Sequence, residues 1–553
     1  NGGGGVVARS LGGVRVSPDT TDPLQRRLLN VVEEMAIASG VPMPEVYLLE
    51  QEAGINAFAA GHSPANAAVA VTRGTLTKLN RAELQGVIAH EFSHILNGDM
   101  RLNVRLMGLL FGLLVIALIA RTVLRIAPRG RSGGKKDGGI AFILAAAFVV
   151  LIVGYIGLFF GRLIQAAVSR NRESLADASA VQFTRDPLGL RGALVKIGAA
   201  PEGSQIGNPE AEEVAHMLFA PGIKRLFATH PQLEDRLKAI DPRFDRKEFS
   251  EVRARLISAN VAAAEAEAAS EMRSPAQRLD SLIAVPSAAG SVAQLVGNPG
   301  TQHMEAAHEM RLSLPEALTI AGRHAASARA LFLALTLEAE PAARARQQAF
   351  IARQLGAEIA TAMIALIAEV DSLQPQQRMP VLMHAFPALR QLTRDERIQL
   401  LACLNGLQRE GQLSLHGYVL RKLAQVHLRD DLDPRGRMGK VPLNAVGPDL
   451  QVLFSVLAQH GHEHADDARR AYEAGMHVLL PRERPAYAVA TNWTQQLDMA
   501  LSRLDQLAPV AKEQLVEALV KTISHDQRLT IGEAELLRAV CAVVHCPLPP
   551  LVA

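Results

Sequence analysis

Hydrophobic and polar positions change rhythm three times along this chain. The first 100 residues alternate short patterns. Asp22-Pro23 places an N-cap and a first-turn proline ahead of a helical pattern that should run to about Ser39, where Gly40 and Pro42 stop it. EVYLLE (45–50), INAFAAG (55–61) and ANAAVAVTRG (65–74) read as strands. Asn80 then caps a helix over 81–97, with Glu83 as the third-position carboxylate of a capping box. Leu84, Val87, Ile88 and Ile95 form its apolar stripe. Residues 1–21 are Gly-rich and read as a linker.

The second rhythm is uninterrupted apolarity. Fifteen uncharged residues separate Arg105 from Arg121, and 24 separate Asp137 from Arg162. The longer run is long enough to span a bilayer as a helix. The shorter covers about 22 Å and spans only if its flanking arginines snorkel. A hairpin through a membrane over 105–162 is therefore expected. The loop between the runs (121–139) carries six basic residues and one acidic. Arg101, Arg105, Arg162, Arg170 and Arg172 crowd the opposite ends, so charge counting does not set the orientation.

The third rhythm is amphipathic helix from about 246 to the end, rich in Ala, with Pro/Gly punctuation near 285–300, 374–380 and 433–448. REGQLSLHGYVLRKLAQ (409–425) aligns with HDQRLTIGEAELLRAVC (525–541), matching Leu413 with Leu529 and Leu420 with Leu536. At 553 residues the chain is too long for one core. The expected divisions are the linker (1–21), a catalytic unit in two parts (22–104 and 163–245) around the hairpin, and an all-α region (246–553). The expected fold class is mainly α with a small β-sheet. Aromatic residues at 4% favour helices over a β-rich fold. A net charge of +3 gives no nucleic-acid-binding signature. Cys403, Cys541 and Cys546 form no disulfide framework or CxxC site. The chain opens on NGGGG without an initiator Met, so nothing follows about what precedes it.

The chemistry sits in VIAHEFSH (87–94). His90 and His94 lie one helical turn apart on one face, where both imidazoles can reach one zinc ion. Glu91 projects beside them, where it can take a proton from water and deliver it to a leaving amine. A hydrolytic zinc site needs a third protein ligand. The Gly and His that a metzincin places after the second histidine are replaced here by Asn97 and Met100. SRNRESLADASA (169–180) offers a carboxylate instead: Glu173 as ligand, with Asp177 one turn on holding a ligand histidine by its far N–H. The plainer reading pairs these acids with Arg170 or Arg172. HGHEHADD (460–467) is rich in histidine but far from the motif, and reads as a solvated helix start.

HEFSHILNGDM, two apolar runs, SRNRESLAD and ATHPQLEDRLKAI (228–240) together resemble the HtpX-like family of membrane zinc endopeptidases, over about residues 22–245. Ser174 departs from the aromatic residue usual there. The resemblance implies a gluzincin with Zn2+ on His90, His94 and Glu173. It further implies that His230 and Arg236 steady the oxyanion, and that Asn56-Ala57 on a strand edge binds substrate backbone. It implies polypeptide substrates, damaged or unassembled membrane proteins among them. The location implied is a bacterial-type inner membrane, with the catalytic face in the cytoplasm. Residues 525–541 weakly resemble TerB-like helical modules. A CAAX prenyl protease shares the metal motifs but surrounds its site with a larger helical chamber. A membrane scaffold that recruits partners, or further copies of the chain, through the long helical region is the reading from another class.

Overall fold

The computed structural model describes residues 3–126, 138–207, 218–219, 232–258, 296–407, 413–433, 439–462, 464–483, 485–489, 492–526 and 530–549. Helix α1 (Gly4–Ser10) and strand β1 (Val14–Arg15) come first. They replace the expected linker. The glycines there serve close packing rather than flexibility: a Cβ on Gly4 would collide with the Ala60 carbonyl. Helix α2 (Pro23–Ser39) begins as expected, with the Asp22 carboxylate accepting from the Leu24 and Gln25 amides, and ends at Gly40 in the left-handed conformation, φ 69°.

Strands β2 (Glu45–Leu49), β3 (Ala57–Ala60) and β4 (Ala68–Thr72) fall on the three expected segments. The sheet order is β1-β2-β4-β3, with β2 and β4 parallel and both outer pairs antiparallel. That order leaves β3 at an edge, and β3 packs on the helix that carries the histidines. After a short α3 (Arg73–Lys78), α4 (Arg81–Leu96) starts on the expected capping box: the Glu83 amide donates to Asn80 Oδ1 and the Asn80 amide donates to Glu83 Oε2. Beyond Thr72 the described residues contain isolated bridges but no strand.

Helices α5 (Asp99–Ile126) and α6 (Gly138–Thr184) pack against each other. Asp99 pairs with Arg172, and a Cβ on Gly154 would touch Ala117 at 3.1 Å. The two contacts lie 18 residues apart on each helix, so the helices run antiparallel in a fixed register. The apolar runs lie inside this hairpin. Where its side chains are described, Ile119, Phe148, Val153 and Ile156 are about half exposed or more. Among the described residues, no helix is long and apolar enough to cross a membrane. The fold therefore carries the hairpin but does not itself establish the expected bilayer crossing.

Helices α7 (Pro187–Ala199), α8 (Leu233–Ile240) and α9 (Glu248–Ser258) complete the catalytic unit. Helix α9 packs on α7, and Arg191 on α7 pairs with Asp241 and Glu248 at 2.8 and 2.7 Å. These contacts cross the boundary expected at 245.

The remaining helices start with α10 (Thr301–Ser313) and α11 (Glu316–Ala321) and share one continuous hydrophobic core with the catalytic unit. Within them, Ser414 and Thr530 cap the helices Leu415–Leu432 and Ile531–Val543. These caps stand at equivalent places in the two aligned segments. The helices pack together, Leu420 and Leu536 are both buried, and His416 Nδ1 lies 2.7 Å from Glu535 Oε2.

Neighbouring acids on α2 hold this region to the catalytic unit. Buried Glu34 faces Arg81 at 2.5 Å, His308 at 2.7 Å and Arg311 at 3.0 Å. Glu33 faces His384 at 2.7 Å. Burial alone would raise the Glu34 pKa, but His308, Arg81 and Arg311 outweigh it and hold the carboxyl below its ordinary value. Glu34→Ala removes the shared partner of those cations; the loss of about 3–5 kcal/mol for breaking a fully buried pair is an upper bound here, because Arg81, His308 and Arg311 keep access to water. Chemical denaturation should show that loss at pH 7. The loss should shrink as pH falls through the depressed Glu34 pKa, because protonation then weakens the wild-type pair as well. A change within experimental error at pH 7 removes Glu34 from the clamp.

Candidate metal centre

His90 and His94 approach each other on one face of α4, Nε2 to Nε2 3.2 Å. Glu173, near the far end of α6, reaches between them: its Oε2 lies 3.6 Å from His90 Nε2 and its Oε1 3.6 Å from His94 Nε2. A tetrahedral ion with bonds of about 2.0–2.2 Å needs donors about 3.3–3.6 Å apart, so these three residues fit one ion. Among the described residues they form the one histidine, cysteine and carboxylate group that can hold a metal. The His-rich stretch at 460–467 adds none; its helix starts at Ala465, and His460 packs edge-on against Trp493.

Each histidine is set by a carboxylate behind it. His90 Nδ1 lies 2.9 Å from Asp177 Oδ1, and His94 Nδ1 lies 2.9 Å from Asp99 Oδ2. A proton on each Nδ1 leaves both Nε2 lone pairs directed at the ion. Asp177 was expected in this place and Asp99 was not. The available signal was Gly98, whose φ of 70° turns the chain after α4 and returns Asp99 to His94.

Burial is the dominant electrostatic fact. His90, Glu91 and Glu173 are all nearly inaccessible. Burial drives the Glu91 carboxyl up to about 8, and the Glu173 charge adds to the rise while His94 opposes it. Burial would lower His94, but Asp99 and Glu173 carry it up to about 10. Burial lowers His90. Asp177 falls to about 2 because Arg236 and His90 together outweigh its burial. Neither Glu91 oxygen meets a donor at hydrogen-bond geometry, although the Ala59 amide on β3 is close enough to pull its pKa down slightly.

Arg236 sits differently from the expectation. Its Nε and Nη2 fork onto Asp177 at 2.8 and 2.7 Å, its Nη1 donates to the Phe219 carbonyl at 2.7 Å, and the residue is 3% exposed. Its Nη1 also lies 3.8 Å from Glu173 Oε2, so Arg236 holds Asp177 while bordering the metal ligands. His230 lies outside the described residues.

The expected substrate edge is also engaged. The Asn56 side chain donates to the Ser204 carbonyl, and the Ala57 carbonyl accepts from the Phe219 amide at 2.8 Å. The Phe219 ring meets His90 edge-on, 4.8 Å between centroids. The chain's own Leu218–Phe219 thus lies antiparallel against β3.

Two imidazoles, one carboxylate and a buried acid one residue after the first histidine define the centre of a metallopeptidase. The model of peptidase family M48 matches residues 23–243. Curated relatives named as protease HtpX homologues match over the same fraction of the chain. The protein from Thermoanaerobacter pseudethanolicus is 37% identical over 240 residues, 42% of this chain and 76% of its own length. One from Streptococcus thermophilus is 36% identical over 42% of this chain and 78% of its own, and one from Listeria monocytogenes is 41% identical over 39% and 72%. No solved structure matches. The chain belongs to the HtpX-like metalloproteases of peptidase family M48.

Because Asp99 holds His94 at Nδ1, away from the converging Nε2 atoms, Asp99→Ala should still bind one metal per chain but about 10- to 100-fold more weakly. Competition with a chelator reads this directly. Unchanged affinity in a folded variant removes Asp99 from the site.

Proposed function

We propose that this protein is a membrane-anchored zinc endopeptidase that cleaves damaged or unassembled membrane proteins. The observation that carries the reading is the convergence of His90, His94 and Glu173 at tetrahedral spacing, with Glu91 buried beside them. Zinc held there supplies a Lewis acid that acidifies water and polarises the scissile carbonyl. Glu91 accepts the proton of the attacking water and returns it to the leaving amine. A dication held by His90, His94 and Glu173 would favour the charged form of Glu91 beside it.

Asp99 and Asp177 fix the two imidazoles, and Arg236 fixes Asp177. His230 stabilises the oxyanion, following the family pattern. Substrate adds as a strand at Asn56-Ala57 on β3. That addition requires the Phe219 amide to release the Ala57 carbonyl.

The half-exposed apolar side chains of α5 and α6 support bilayer anchoring. His94 and Glu173 serve one ion on either side of the hairpin, so the chain returns to the face it left, and that face is cytoplasmic. A soluble hairpin with so much apolar surface open to water would aggregate.

One experiment separates the parts of this reading. Expressed in bacteria, the wild-type chain should stay in carbonate-washed membranes, hold zinc and cleave casein after detergent extraction. Glu91→Gln should keep both membrane retention and zinc while losing about 10²- to 10⁴-fold in kcat, the range for a general base. Release by carbonate refutes the anchor. Undiminished cleavage by Glu91→Gln refutes the base.

A further inference from the structure

A cavity of about 800 Å³ lies between the catalytic unit and the helical region that follows it. Its size is within the range of small-molecule sites, about 300–1,000 Å³. One wall is a face of α2 carrying Arg26, Leu29, Asn30 and Glu33, spaced for one side of a helix. The opposite wall comes from α10, α11 and the residues around His384.

The cavity is cationic. Arg15, Arg26, Arg27, Arg81, Arg311 and Arg323 all line it, while Glu33 and Glu316 are the acids in its wall. Existing partners offset only part of this excess. Arg81, Arg311 and His308 all converge on the one carboxylate of Glu34. Glu33 is taken by His384, whose pKa is raised by that partner despite burial. Arg323 and Arg15 have carboxylates at 3.6 and 3.8 Å, and Arg15 also donates to the Pro387 carbonyl at 2.9 Å. Arg26 donates to the carbonyls of Pro18 and Thr20 and has no carboxylate within ion-pair distance among the described residues. Burial lowers its pKa, and Arg323 and Arg311 lower it further against the opposing charges of Asp19 and Glu33. Crowded guanidinium groups in a partly dry cleft need an anion, and their planar forks match phosphate oxygens. Beside them Leu29, Met43, Val46, Leu312 and Leu314 give an apolar wall for the uncharged part of such a ligand.

We propose that this cavity binds a small phosphate-bearing anion that bridges the catalytic unit and the helical region. The anion sits among Arg26, Arg311 and Arg323, with its organic part on the apolar wall. Arg81 is the first residue of α4, three turns ahead of the metal ligands, and shares Glu34 with Arg311. Ligand at this place therefore ties the helical region to the start of the helix that carries His90 and His94. The inference is independent of the peptidase reading, because it concerns binding and can be read without any cleavage.

The test is calorimetric titration of the full chain in detergent with pyrophosphate, ATP and a soluble short-chain phosphatidic acid, at constant ionic strength. Pyrophosphate should saturate one site per chain with a sub-millimolar Kd. Arg323→Gln and Arg26→Gln should each weaken it at least tenfold while leaving zinc content unchanged. Tighter binding of ATP than of pyrophosphate identifies a nucleotide-type ligand, and tighter binding of the phosphatidic acid identifies a lipid headgroup. Both support the site only if the two variants weaken them. No saturable binding of any probe overturns the proposal. So does binding that sulfate at equal concentration reproduces, or that survives in both folded variants. If Arg26→Gln fails to fold, Arg323→Gln decides alone, since its side chain is partly exposed and only loosely paired.

Discussion

One carboxylate couples the hairpin to the chemistry. Asp99 gives one oxygen to His94 Nδ1 and the other to Arg172, the residue before Glu173. The last turn of α4, the base of α5 and the return of α6 are fixed together at that point. Without this register, Glu173 would not reach a site formed on a distant stretch of chain. The same helix then carries Asp177 to His90, with Arg236 behind it, so the ligands sit inside a shell of alternating charge. Buried charges on this scale persist only because each faces an opposite one. A metal ion completes the balance at the place where two imidazole nitrogens and a carboxylate otherwise face each other.

The sheet contributes position rather than charge. Strand β3 is the edge of the sheet and lies against α4, so its outer backbone groups run beside Glu91. An edge next to a metallopeptidase centre is a natural rail for an extended peptide. Here the rail is partly taken by Leu218–Phe219, which also cover His90 and anchor Arg236.

Much of this was legible in the sequence because it is local. The caps at Asp22 and Asn80, the four-residue spacing of His90 and His94, and that of Glu173 and Asp177 are all rules of one or two helical turns. What was not legible depends on tertiary contact. Asp99 looks like an ordinary polar residue until Gly98 folds it back. Gly4 and Gly5 read as linker because composition does not separate a flexible glycine from one pressed against a sheet. The bonds of Arg236 to Asp177 and to the Phe219 carbonyl, and its approach to Glu173, have no sequence signature either. The family match ends at 243, near the boundary expected at 245, while the packing of α9 on α7 and its link through Arg191 cross that point by tertiary contact. The Glu34 clamp, across residues far apart in the chain, has no sequence signature.

The central claim is that one metal ion is shared by His90, His94 and Glu173. Anomalous diffraction at the zinc absorption edge, from crystals of the zinc-loaded protein, tests it most directly. The account predicts one peak about 2.0–2.2 Å from both Nε2 atoms and from a Glu173 oxygen, with Asp99 and Asp177 outside the coordination sphere. A peak that replaces Glu173 by Asp99 or Asp177, or that lies away from α4, contradicts it.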